Sequence, residues 1–239
     1  MHIPRIVHQT YVTTTLPSPT LKVISKMKEH NPEFKFILYD DNAMDLFMKN
    51  NFQGRVYDCF LALNIGAAKA DLWRYCVLYK IGGVYLDIDA QITGSLNELI
   101  GNEEEAIISR EKNMGYFLQW MLVYPPAHEI MKRTIELCCE RIENRVDNII
   151  HVTGPAVYTE AINEVIQPHL VKKVNNLWHV SDKSINEEMS AEDFPIKCRF
   201  FGKDYGNYGK FKYSGFKELY NEWEEGIIHW SVINNLYKY

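Results

Sequence analysis

The stretch ADLWRYCVLYKIGGVYLDIDAQ, Ala70 to Gln91, decides how the rest of the chain is read. An apolar, aromatic-rich helix runs into Gly82-Gly83, a natural helix stop because glycine accepts left-handed backbone angles without steric cost. Val84, Tyr85, Leu86 and Ile88 favour a strand. Asp87 and Asp89 fall where that strand should end. Residues two apart on an extended chain point to one side, so the spacing predicts two carboxylates converging on one ligand. At about 4 Å and an effective dielectric of about 20, two such charges repel by roughly 4 kcal/mol. A divalent cation removes that penalty. Mg2+ and Mn2+ take oxygen ligands and bridge carboxylates to phosphates. A solvated Asp-x-Asp turn has the same spacing, but the end of a buried-looking strand is where α/β proteins bind ligands.

Upstream, Asp71 and Arg74 are three apart and share a helical face. Their neighbours Ala67, Ala68, Ala70, Leu72 and Trp73 predict a mostly buried helix. Burying charges costs free energy unless they are paired. The pair is therefore either a structural ion pair or part of a binding site.

Taken together, Ala70-Asp71-Leu72-Trp73-Arg74-Tyr75, Leu78-Tyr79 and Gly82-Gly83-Val84-Tyr85-Leu86-Asp87-Ile88-Asp89 resemble the sugar-binding segment of glycosyltransferase family 32. The shared pattern is A-x-x-D-x-x-R-Y-x-x-L-Y-x-x-G-G-x-Y-x-D-x-D. The resemblance is close over Pro4 to Gln91 and thinner beyond. It implies an α/β protein of GT-A fold, with a mostly parallel central sheet flanked by helices. It implies one catalytic domain over 1–239, with a nucleotide-sugar half (1–95) and an acceptor half with a closing segment (96–239). The implied activity is metal-dependent, retaining transfer of a hexose or N-acetylhexosamine from a UDP- or GDP-sugar to a glycan, lipid or protein acceptor. Asp71, Arg74, Asp87 and Asp89 would be catalytic. Asp87 and Asp89, joined by His229, would hold Mn2+ or Mg2+. The donor would touch His8, Gln9, Thr10, Asp71, Arg74, Tyr75, Gly83, Asp87, Ile88, Asp89, Thr153, Gly154 and Trp230.

The residues themselves support parts of this and leave others open. Ile6 and Val7 predict a first buried strand with His8, Gln9 and Thr10 at its carboxyl end; a buried histidine satisfied by backbone groups is the alternative there. A helix is expected over Leu21 to His30, with Leu21, Ile24, Met27 and Lys28 on its apolar face, ended by Asn31-Pro32. Phe34 to Tyr39 reads as a second strand, and Asp40-Asp41-Asn42 as the cap of the next helix. Cys59 to Lys80 reads as one long helix. Ala106 to Arg110 and the apolar run Tyr116 to Tyr124 read as strands; the resemblance implies a polar residue facing the donor sugar at this level, with Asn113 and Gln119 as the candidates. Ala127 to Arg145 is an amphipathic helix. Thr153-Gly154-Pro155 opens another, since proline fits a first helical turn. Trp178 to Arg199 reads as irregular. Gly202 to Gly215 reads as a loop whose tyrosines either stack on sugars or have no role.

Composition narrows the classes. A chain of 239 residues with 46% hydrophobic content supports one substantial core. A net charge of -5 argues against a broad nucleic-acid surface. The 5 cysteines have no metal-like spacing and read as free thiols in a reducing compartment. No apolar run approaches the ~20 residues needed to span a bilayer, and MHIPRIVHQT lacks the features of a secretory signal. The expected setting is therefore cytoplasmic and soluble, unless the chain is a fragment of a membrane-anchored enzyme. The main rival is a phosphohydrolase of the haloacid dehalogenase type, which also carries Asp-x-Asp after an apolar strand. It needs Thr or Val where this chain has Gln91. A carbohydrate-binding domain without turnover is a third class, disfavoured by the intact Asp71, Arg74, Asp87 and Asp89 set.

Overall fold

The computed structural model describes residues 2–101, 105–110, 115–166, 171–174, 177–180, 198–203, 205–221 and 235–238. Its centre is a six-stranded sheet in the order β2-β1-β3-β6-β5-β9. The strands are β1 (Ile6–Thr10), β2 (Lys35–Tyr39), β3 (Gly83–Leu86), β5 (Ala106–Arg110), β6 (Met121–Tyr124) and β9 (Cys198–Lys203). β1 runs parallel to β2 and β3, and β5 parallel to β9; β6 is antiparallel to β3 and β5. Two small ribbons stand apart. In one, β4 (Ala90–Ile92) pairs with β10 (Gly209–Phe211); in the other, β7 (Val171–Val174) pairs with β8 (Leu177–Val180).

Helices cover both faces, and side chains sort by the two-residue period of the strands. Tyr85, Leu122 and Tyr124 point into a core built with α2 (Asp41–Asn51), α3 (Arg55–Ala62), α4 (Gly66–Lys80), α6 (Glu129–Glu143) and α8 (Pro155–Ile166). Val84, Leu86, Met121 and Val123 point the other way, onto α1 (Ser18–His30) and α5 (Leu96–Ile100). Asp40 caps α2 by accepting from the Ala43 amide at 2.8 Å. α7 (Ile149–Val152) leads into α8, which opens on Pro155 as expected from the sequence.

Gly82 and Gly83 are fixed by packing. Both have positive φ, 75° and 107°. A Cβ on Gly82 would lie 2.6 Å from the Pro126 nitrogen, and one on Gly83 2.6 Å from the Ile6 carbonyl oxygen. Any side chain would collide with backbone, which cannot move aside cheaply.

The structure corrects several sequence expectations. Cys59 to Lys80 is two helices, not one. The break at Leu63 to Ile65 is held from far along the chain: Leu63 bridges Tyr237, the Asn64 amide donates to the Leu236 carbonyl at 2.8 Å, and the Lys238 amide to that of Ala62 at 2.8 Å. On α1, Leu21 is 52% exposed, while Thr20 and Met27 are buried; the apolar face is offset from the expected one. Leu177–Val180 and Cys198–Lys203 are strands rather than irregular chain. Gly209–Phe211 is a strand too, and Tyr205 and Tyr213 are core residues. Among the described residues, no helix is long and apolar enough to cross a membrane. Cys59, Cys76, Cys138 and Cys139 are buried free thiols.

Candidate active site

A cleft of about 470 Å³ opens at the carboxyl ends of β1 and β3, within the size range of small-ligand sites. Asp71, Arg74, Asp87 and Asp89 all line it. α4 supplies the first two from one face. After Leu86 the chain leaves the strand and turns, with the Ala90 amide donating to the Asp87 carbonyl at 3.0 Å. Asp87 and Asp89 therefore share the cleft because of a turn, and not because of the strand alternation inferred from the sequence.

Arg74 organises the floor. Its Nη2 lies 2.9 Å from Asp71 Oδ1 and 3.2 Å from Asp87 Oδ1. Its Nη1 donates to the Gln119 carbonyl at 3.0 Å, and its guanidinium carbon lies 4.5 Å from the centre of the Tyr85 ring. The Tyr85 hydroxyl donates to Asp87 Oδ1 at 2.6 Å, and the Thr153 hydroxyl to Asp71 Oδ2 at 3.2 Å. Behind this layer, Tyr75 donates to the Thr153 carbonyl at 2.9 Å and accepts from Gln119 Nε2. The Arg74 Nε is buried without a partner.

Electrostatics follow from burial. Desolvation pushes the Asp71 carboxyl up to about 7; Arg74 and the Thr153 hydroxyl pull it down, and Asp87 pushes it up. Burial also raises Asp87, opposed by Arg74 and the Tyr85 hydroxyl. For Arg74, burial favours the neutral form, but Asp87, Tyr85 and Asp71 together raise its pKa and keep it charged. Two carboxyl groups, of Asp71 and Asp87, thus flank one guanidinium, while Asp89 also lines the cleft and Lys212 stands on its rim. Hard oxygen donors gathered in a partly desolvated cleft fit a divalent cation, whose charge would favour the ionised form of each carboxyl.

Of the other residues named from the sequence, Thr10, Ile88 and Gly154 line the cleft. His8, Gln9, Tyr75, Gly83 and Thr153 lie outside that lining. His8 is fully buried: its Nε2 donates to the Gly82 carbonyl at 3.0 Å, and its Nδ1 lies 3.3 Å from the Tyr39 hydroxyl. Burial lowers it to about 4, with the Gly82 hydrogen bond pulling upward. The backbone-satisfied alternative therefore describes the His8 ring as it stands, with both nitrogens turned to Gly82 and Tyr39. Gln9 is buried with an unpartnered Nε2. Tyr75 and Thr153 support the floor from behind, and Gly83 packs against β1. His229, Trp230 and Asn113 lie outside the described residues.

The sequence reading left out several cleft residues. Tyr11, Ile149, Ile150 and Leu219 carry no chemical signal that would mark them. Phe211 is 44% exposed at the rim and stacks on Trp120, with ring centres 5.8 Å apart. Its signal was its place in the aromatic, lysine-rich stretch before Gly215, where tyrosines drew attention instead.

The cleft and its donor set can be set beside known proteins. Residues 17–106 match the family described as glycosyltransferase sugar-binding region containing DXD motif. The uncharacterized glycosyltransferase L373 of Acanthamoeba polyphaga mimivirus is 27% identical over 165 residues, covering 68% of this chain and 65% of that protein. The mannosyl phosphorylinositol ceramide synthase CSH1 of Saccharomyces cerevisiae is 33% identical over 98 residues, 41% of this chain and 26% of that protein. Among solved structures, PaToxG glycosyltransferase superposes with a TM-score of 0.56 at 17% identity, over 68% of this chain and 69% of that one. The fold is GT-A, and residues 17–106 resemble the DXD-containing sugar-binding region of glycosyltransferases. The chain spans less than two thirds of each of these two curated relatives, 65% and 26% of their lengths.

Proposed function

We propose that the chain transfers a hexose or N-acetylhexosamine, with retention of configuration, from a UDP- or GDP-linked donor to a glycan, lipid or protein acceptor. One observation carries this reading: Arg74 is clamped between Asp71 and Asp87 on the floor of a cleft that Asp89 also lines. Asp87 and Asp89 are the residues to hold Mn2+ or Mg2+, with His229 as a further ligand. When bound, the cation would neutralise charge on a departing diphosphate as a Lewis acid. The chain's own groups do the rest. Asp71, fixed by Arg74 and Thr153, offers its carboxylate to sugar hydroxyls. Arg74 keeps the Asp71 and Asp87 carboxylates in fixed positions, so little reorganisation accompanies reaction. The acceptor enters from the rim, where Ile150 and Phe211 stand.

The phosphohydrolase alternative suits this floor less well. Asp87, the carboxylate it would use for attack, is already engaged by Arg74 and the Tyr85 hydroxyl, which reduces its nucleophilicity.

Mannose is the first sugar to test, since one relative is named a mannosyl phosphorylinositol ceramide synthase. GDP-mannose, UDP-galactose and UDP-N-acetylglucosamine are screened by thermal shift with and without Mn2+. A donor at a hundred times its Kd stabilises the folded chain by about 2.7 kcal/mol. The expected result is a rise in Tm with one donor, larger with Mn2+. No rise with any UDP- or GDP-sugar would overturn the reading.

A further inference from the structure

The geometry points to a second binding site, for a phosphate group carried on a partly apolar molecule, in a cavity between α1 and the β4–β10 ribbon. The cavity measures about 380 Å³ and is separate from the cleft described above. Lys26 and His30 reach it from α1, Lys210 from β10, and Gln91 and Thr93 from in and beside β4; Ser214 completes its polar rim. Its apolar wall is Val23, Met27 and Ile92.

Three features make this a phosphate site rather than a solvated groove. Its lining contains two lysines and a histidine and no carboxylate, in a chain whose net charge is -5. The cations also come from two elements far apart in sequence, so they converge through the fold and are not one helix's solvated charge run. The apolar wall beside the cationic rim suits a phosphate attached to a less polar body.

The ribbon joins this cavity to the cleft. Lys210 pairs with Gln91, and Phe211 with Ala90. Successive residues of a strand face opposite ways, so Lys210 serves the cavity while Phe211 serves the cleft. Just beyond, the Tyr213 amide donates to the Asp89 carbonyl at 3.2 Å, and its hydroxyl to Thr20 Oγ1 on α1 at 2.7 Å. A phosphate bridging Lys26 and Lys210 therefore ties α1 to the ribbon that abuts Asp89.

The test uses the full chain, isotope-labelled, without donor. Inorganic phosphate is titrated while the amides of Thr93, Lys210 and Ser214 are followed by NMR. Co-sedimentation with phosphatidylcholine vesicles, with and without phosphatidylserine, forms a second arm. Wild type is compared with Lys26→Gln/Lys210→Gln and with each single variant; both lysines are exposed, and an unchanged Tm verifies the fold. Saturable shifts at these amides, weakened about tenfold or more in the double variant, are expected. Phosphate binding without vesicle binding assigns a soluble phosphorylated ligand, and lysine-dependent binding to phosphatidylserine vesicles assigns a lipid headgroup. If neither probe separates wild type from the double variant, the site does not exist. Because the lysines stand outside the cleft, this result is independent of whether any sugar donor binds.

Discussion

The floor and the rim of the cleft are built on opposite terms. On the floor, Arg74, Asp71, Asp87, Tyr85, Thr153 and Gln119 hold one another through contacts of 2.6 to 3.2 Å, mostly out of solvent. At the rim, Phe211 is 44% and Ile150 37% exposed. Phe211 is steadied by the stack on Trp120 and lies 5.2 Å from the Lys212 ammonium. The floor's geometry is set before any ligand arrives, which suits groups that must meet developing charge. The rim keeps apolar surface in water, which suits a partner still to dock. Substitutions on the floor should therefore disturb chemistry and stability, and those on the rim should alter recognition alone.

The largest effect is expected at Asp89. Asp89→Ala should lower transfer by about a thousandfold, the scale of losing a major electrostatic group at a reacting centre, while Tm stays close to wild type. Near-normal turnover in that variant would break the distinction at its root. Arg74→Met tests the floor's second duty. It leaves Asp71 and Asp87 buried without their shared cation, so urea unfolding should show a loss of about 3–5 kcal/mol; a loss below about 1 kcal/mol would mean the carboxylates simply take up protons and the clamp is dispensable.

His8 comes next, as a buried base behind the floor. Its folded pKa of about 4 lies below the ordinary 6.5. Between those values the unfolded chain binds the extra proton, so stability falls as pH drops from about 6.5 to about 4. The shift corresponds to roughly 3 kcal/mol. Urea midpoints of wild type and His8→Gln at pH 7 and pH 4.5 should show a steeper acid loss in wild type. Smallest is Phe211→Ala: stability changes by under about 1 kcal/mol, as for other exposed sites. Donor affinity is unchanged, and acceptor KM rises severalfold with kcat held. A fall in donor affinity instead would move Phe211 from rim to floor.

Legibility in the sequence divides along the same line. Asp71 and Arg74 could be read because the three-residue spacing and the alanines around them are local helical facts. The sheet's parallel core was legible in Ile6-Val7, the strand over Phe34 to Tyr39, and the run after Gly83. What escaped depends on distant partners. The helix break at Leu63 to Ile65 is imposed by Leu236 to Lys238. Tyr85 was read as a strand former and a position of the family pattern, without a partner, because its bond to Asp87 requires the turn after Leu86 that period-two reasoning left out. Gln119 came into view as a candidate, yet its carbonyl reaches Arg74 only through the pairing of β3 with β6. The rim residues Phe211 and Lys212 lie some 120 positions from the Asp-x-Asp and meet it through the β4–β10 register.

The paired glycines carry a lesson for anyone searching genomes with the motif. Gly82 and Gly83 are demanded by Pro126 and by the Ile6 carbonyl, so they report on architecture rather than on sugar chemistry. A sequence that keeps both glycines but has exchanged Asp89 should still adopt this scaffold. On the function proposed above such a homologue would be an inert look-alike, and only the acidic half of the signature would tell the two apart.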